Sequence, residues 1–241
     1  MRKENFVQII VFMQLEKHAS LADVPQPLTE QAFHILRRDV MMGQFEPGQK
    51  LKLDELQSLY GFSSSPLREA MSKLSQEGLI RSDERRGFRV AEISRDDLED
   101  ITQMRLLLDV QALQLSIMHG DDAWEAAIVS AHYKLDKMER NFTEGPLSLD
   151  DSWVNAHKVF HMTLIHACQS ERLQQWCSSL FDQAERYRQF SAKHRKTGRK
   201  KSNEHKKIMD AVLSREADAA VQLLKDHIAS TRKNVLAVLD I

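Results

Sequence analysis

Four of the ten histidines in this 241-residue chain fall where helical periodicity turns them inward. His157 and His161 are one turn apart, so they share a face with Val154, Leu164 and Cys168. His205 is in register with Ile208, Met209 and Val212, and His227 with Ala220, Leu223 and Leu224. A single imidazole on an apolar face is ordinarily a hydrogen-bonded core residue. Several buried without a common purpose multiply the desolvation cost, whereas one divalent cation satisfies them all through bonds near ~2.1 Å. Spacing alone leaves both readings open. Imidazole-rich ligation suits a transition metal, Zn or Ni before Mg or Ca. Such a cation attracts carboxylate oxygens, and a guanidinium beside it fixes a second carboxylate. Arg105, Arg186 and Arg188 are the candidates for that role, with ordinary surface ion pairs as the alternative reading of each.

A second constellation lies nearer the amino terminus. Phe62-Ser63-Ser64-Ser65-Pro66-Leu67-Arg68-Glu69 carries three helix-start signals: Ser65 as N-cap, Pro66 at the first helical position and Glu69 in the first turn. A short helix over 53–60, closed by Gly61, precedes it, and together they predict a helix-turn-helix. In the DNA-binding form of that unit the second helix presents its amino end to the major groove. Ser63 and Ser65 suit phosphate oxygens there, and Arg68, one turn in, reaches guanine O6 and N7. Next, Leu79 to Ser82 and Phe88 to Ala91 flank a turn, predicting a β-hairpin that displays Arg85, Arg86 and Gly87 at its tip as a minor-groove or phosphate probe.

The elements that must hold these residues are mostly helical. Eight Gly and five Pro are few, which disfavours a many-turned β fold. The length suggests two cores, and 42% hydrophobic with 29% charged residues excludes a disordered chain. Thirty-four Lys plus Arg against 35 Asp plus Glu excludes a uniformly basic coat, so any nucleic-acid surface is local. The spacing predicts an extension over 1–27, a winged helix over 28–91 beginning with a helix from Thr29, a linker at 92–94, and a helical domain over 95–241. Ser94 reads as the cap of that domain's first helix, with further helices near 121–142, 151–167, 171–194, 203–214 and 215–239, joined by short connections that favour antiparallel packing. Cys168 and Cys177 fit neither a redox pair nor a zinc knuckle, predicting packed thiols in a reducing cytoplasm. No apolar stretch is long enough for a membrane span.

Gly43-x-x-x-Pro47-Gly48, Ser65-Pro66-Leu67-Arg68-Glu69-Ala70, Glu77-Gly78-Leu79-Ile80 and Arg86-Gly87-Phe88-x-Val90 together resemble the winged-helix domain of GntR-type bacterial transcription regulators. That resemblance implies DNA contacts at Ser63, Ser65, Arg68, Arg86 and Gly87; the chain departs at Ser64, where the family often has Arg. Phe160-His161, Asn203-Glu204-His205 and Ala219-Ala220 leading to His227-Ile228 resemble the all-helical FCD-type effector domain of the FadR subgroup. Its likeness implies a metal held by an acidic residue and three histidines, matched here by His161, His205 and His227, with His157 where the acidic ligand usually stands. It also implies that small organic acids bind there and change DNA affinity.

The expectation is therefore a dimeric, DNA-binding regulator, a repressor, sensing a small carboxylate at a metal site. The competing class is a metal-dependent hydrolase. Its H-E-x-x-H helices need a glutamate after the first histidine, and that position is Lys158.

Overall fold

The computed structural model of the protein describes residues 26–83, 87–140, 150–195 and 203–239. The extension before residue 26, Arg85 and Arg86 lie outside the described residues.

Helix α1 (Leu28–Met41) buries Ala32, Phe33, Leu36 and Val40, a stripe at steps of one, three and four residues. It packs on α3 (Ser64–Gln76), whose Leu67, Ala70, Met71 and Leu74 form the other side of the same core. Between them α2 (Leu53–Tyr60) ends at Gly61, whose φ of 73° is the left-handed conformation that reverses the chain into α3. The N-cap of α3 is Ser63, not Ser65, and Pro66 falls inside the first turn. Nothing is lost by that shift, because the first turn's N–H groups have no intrahelical acceptor for proline to forfeit.

The expected hairpin is present as β2 (Ile80–Asp83) and β3 (Gly87–Val90), pairing Ile80 with Val90 and Asp83 with Gly87. A third strand, β1 (Lys50–Leu51), pairs with the outer edge of β3, Lys50 opposite Arg89 and Leu51 opposite Phe88, giving the order β1-β3-β2. Two residues are too short to show an alternation, so the sequence reading passed over it.

The remainder is helical: α4 (Arg95–His119), α5 (Asp122–Glu139), α6 (Asp151–Leu164), a 3-10 turn (His166–Cys168), α7 (Glu171–His194), α8 (Glu204–Leu213) and α9 (Ala217–Leu239). Four starts are fixed alike. Ser94, Asp121, Asp150 and Ser170 each accept the backbone N–H of the third residue on, at 3.2, 2.9, 2.8 and 3.3 Å. The core of this half gathers Leu113, Ile128, Leu135, Phe160, Cys177, Ile208, Val212 and Ala220, all fully buried. Both cysteines are buried free thiols, and burial pushes the Cys177 thiol up, so it stays protonated. Among the described residues no helix is long and apolar enough to cross a membrane.

Candidate metal centre and DNA-reading helix

Three helices bring the histidines together. His157 and His161 come from α6, His205 from α8 and His227 from α9, and all four are buried. One ligand nitrogen of each lies within 4.8 Å of the other three. Two nitrogens on opposite sides of one ion, each bonded at ~2.1 Å, are separated by about 4.2 Å, so ring rotations of about half an ångström or more would close the cluster on a single cation. The Nε2 atoms of His157 and His161 face each other at 3.1 Å, a separation suited to neighbouring ligands of one ion.

Behind the rings stand carboxylates. His227 Nδ1 donates to Glu204 at 2.8 Å, His205 Nδ1 lies 3.3 Å from Glu139, and His157 Nδ1 lies 3.8 Å from Glu185. The Glu204 bond sets the His227 tautomer that turns its other lone pair inward, the usual support of metal-ligating histidine, whereas His157 Nδ1 makes no hydrogen bond to Glu185. His205 Nε2 is buried and has no hydrogen-bond partner, as expected of a nitrogen that ligates an ion. Burial first, then Arg188, holds His157 well below the ordinary imidazole value; burial and then His227 do the same for His161. These rings are neutral, the form that ligates. The donor set thus fits a divalent transition metal, with His157 in the position of the fourth ligand.

Beside the histidines Phe181 of α7 makes ring contacts at 5.3 Å with both His157 and His161. Arg188 and Arg105 stack on it, their guanidinium carbons 4.6 and 5.2 Å from the ring centre. Arg105 is 2% exposed and bonds Asp109 at 2.9 Å; Arg188 is 6% exposed and bonds Glu185 at 2.6 Å. Burial raises the Glu185 carboxyl, against the pull of Arg188. Arg186 is elsewhere: its guanidinium donates to the Ala91 carbonyl, where β3 leads into α4. Positions two apart on a helix face opposite ways, so Arg186 and Arg188 cannot both reach the histidines. The sequence reading did not assign Glu139, Glu185 or Phe181 to the site; the four- and seven-residue steps of Phe181, Glu185 and Arg188 were the signal that marks their common face.

At the other site Ser63, Ser65 and Arg68 are all exposed at the amino end of α3. Ser63 makes no side-chain cap bond, and Ser65 reaches Glu69 at a long 3.5 Å. Gly87 is exposed where β3 begins, with φ 80° and open space around it, a conformation that a side chain would strain.

Two family models divide the chain as these two cores do. That of bacterial regulatory proteins, gntR family, matches residues 28–90, and that of the FCD domain matches 100–230. The HTH-type transcriptional regulator BphR of Paraburkholderia xenovorans is 36% identical over 85% of this chain and 83% of its own. The HTH-type transcriptional repressor GlaR of Escherichia coli is 32% identical over 80% and 89%. Among solved structures, a GntR transcriptional regulator of Rhodococcus sp. RHA1 superposes with a TM-score of 0.68 at 20% identity, covering 87% of this chain and 97% of that one. Relatives and fold are those of regulators, not enzymes, which removes the hydrolase reading. The chain belongs to the gntR family of bacterial regulatory proteins and is a transcriptional regulator that joins a winged helix-turn-helix to an FCD domain.

Proposed function

We propose that this regulator is a cytoplasmic repressor whose operator affinity is set by a small carboxylate bound at a transition-metal centre formed by His157, His161, His205 and His227. The observation that carries the proposal is the convergence of four buried imidazoles, backed by Glu139, Glu185 and Glu204, beside two buried arginines. A Zn or Ni ion held there supplies positive charge to carboxylate oxygens in a site where water screens little. The position of Arg105 and Arg188 over Phe181, beside the histidines, supports their fixing a second carboxylate end; Arg186, at the domain joint, lacks that support.

On the DNA side, Ser63 and Ser65 are assigned to phosphate, Arg68 to a base edge, and Arg85, Arg86 and Gly87 to the groove beside it. One recognition helix reads only a few base pairs, so a homodimer on a two-fold operator is the expected assembly. Repression is favoured by the likeness to GlaR, a transcriptional repressor, and requires only that the operator be occupied.

Elemental analysis of purified protein, followed by duplex binding across a panel of small mono-, di- and tricarboxylates, tests this. The expected result is about one metal per chain and an affinity change with one member of the panel. Protein free of transition metal that still resists loading overturns the metal centre. Metal-loaded protein that ignores every carboxylate overturns the sensing role.

A further inference from the structure

We infer that Asp182 is the positioning residue through which the histidine centre sets the recognition helix. The inference rests on the histidine centre being a metal site.

Helix α7 serves both halves of the molecule from two faces. Phe181, Glu185 and Arg188 turn toward the histidines. The next face round turns toward the winged helix, and its central residue is Asp182, only 5% exposed. One oxygen of Asp182, Oδ2, accepts from two cations. Lys158 Nζ donates to it at 2.5 Å, and Arg37 donates to it through Nη2. Lys158 follows His157 directly on α6, so it travels with a metal ligand. Arg37 belongs to α1, and its Nε donates to Glu77 Oε2 at 3.0 Å. Glu77 is the C-cap residue of the recognition helix α3, and its carbonyl accepts from Gln183, the residue after Asp182, at 3.0 Å. A continuous path of ion pairs and hydrogen bonds thus joins Lys158, the residue after His157, to the end of α3.

Two features make this path a switch point rather than a passive tie. Because both donors share one oxygen, strengthening the Lys158 bond weakens the Arg37 bond, and the reverse. The junction also borders a cleft of about 520 Å³ lined by Arg37, Glu77, Lys158 and Asp182, so small rotations there meet little packed side chain. Drawing His157 and His161 onto an ion shifts α6 as a rod, and Lys158 with it. The share of Asp182 left to Arg37 then changes the grip on Glu77 and the tilt of α3. Interfaces of this polar kind within a chain rearrange at lower cost than apolar ones.

The test compares full-length protein stripped with chelator and the same protein reloaded with Zn²⁺, each titrated with a duplex selected by the wild type from a random pool. For the wild type, loading should change duplex affinity by a factor in the range of about 5 to 150 typical of coupled sites. Asp182→Asn keeps the volume and an acceptor oxygen but removes the charge. It should bind Zn²⁺ with wild-type stoichiometry while that factor collapses toward one. Arg37→Gln should do the same, the pair together should lose no more than either alone, and Asp182→Glu should restore part of the response. Arg37→Gln also serves if Asp182→Asn does not fold. An unchanged factor in Zn²⁺-loaded Asp182→Asn or Arg37→Gln overturns the role of Asp182 and leaves the metal site standing. A wild type that binds Zn²⁺ without any change in duplex affinity overturns the inference also. A wild type that binds no Zn²⁺ overturns the metal site itself.

Discussion

His227 Nδ1 donates to Glu204 Oε2 at 2.8 Å, the closest of the carboxylate contacts behind the four histidines. Glu204 opens α8 and His205 follows it, so one helix start delivers both a candidate ligand and the support of a candidate ligand on α9. Removing the carboxylate frees the His227 ring to turn and change tautomer. Glu204→Ala is expected to lower Zn²⁺ affinity by about 10- to 100-fold without changing the stoichiometry. Competition against a chromophoric chelator measures it. His205→Ala with His227→Ala removes two ligands and should abolish binding outright, so the single variant must fall between the double variant and wild type.

Arg68 is exposed on α3, outside the buried stripe of Leu67, Ala70, Met71 and Leu74. Arg68→Ala should therefore leave the thermal midpoint unchanged and cost about 1–3 kcal/mol in discrimination between operator and random duplex. Ser63→Ala, at the helix start, should weaken binding to every duplex alike. Competition binding with both duplexes at one salt concentration checks the pair. A loss at Arg68 shared equally by both duplexes would reassign it to phosphate.

Much of this arrangement is written in the sequence, and the omissions have physical causes. The histidines were legible because burial leaves a period: His157 and His161 one turn apart, and His205 and His227 in step with their apolar neighbours. Their meeting across three helices was not legible in spacing, which fixes a face but not which faces adjoin; only the FCD resemblance implied it. For the same reason nothing in the spacing marks Glu139, which stands 3.3 Å from His205. Arg186 was legible in principle: two positions from Arg188, it had to face away. Ser63 and Ser65 compete as caps in a run of three serines, where composition cannot choose and only the chain's exit from α2 does.

The depressed imidazoles make the metal-stripped protein sensitive to acid. Above the ordinary value of 6.5 the rings of His157 and His161 are neutral both folded and unfolded, and contribute no pH dependence. Below it the unfolded chain takes up two protons that the fold refuses, so stability present above pH 6.5 is lost as pH falls toward the depressed folded values. Each ring contributes a slope of about 1.4 kcal/mol per pH unit over that window. Urea unfolding of stripped protein from pH 7.5 down to about 5 should show the decline. His157→Gln with His161→Gln, which cannot titrate, should flatten it.

Arg105 plays two parts that can be separated. Both its Nε and Nη2 lie 2.9 Å from Asp109 Oδ2, with the two side chains 3% and 6% exposed, and it also stacks beside Phe181 next to the histidines. Arg105→Met leaves the Asp109 carboxylate buried without its cation, and should cost about 3–5 kcal/mol. Adding Asp109→Leu removes the stranded charge and should return most of that stability, because an apolar pair of similar volume replaces a buried ion pair at little net cost. Stability is thereby restored while the guanidinium is still missing. If Arg105 receives a carboxylate, the double variant will hold its metal and fold normally, yet fail to answer the compound that shifts wild-type duplex affinity. Chemical denaturation and duplex titration on the same preparations give both readings. A double variant that responds as wild type does would confine Arg105 to holding Asp109.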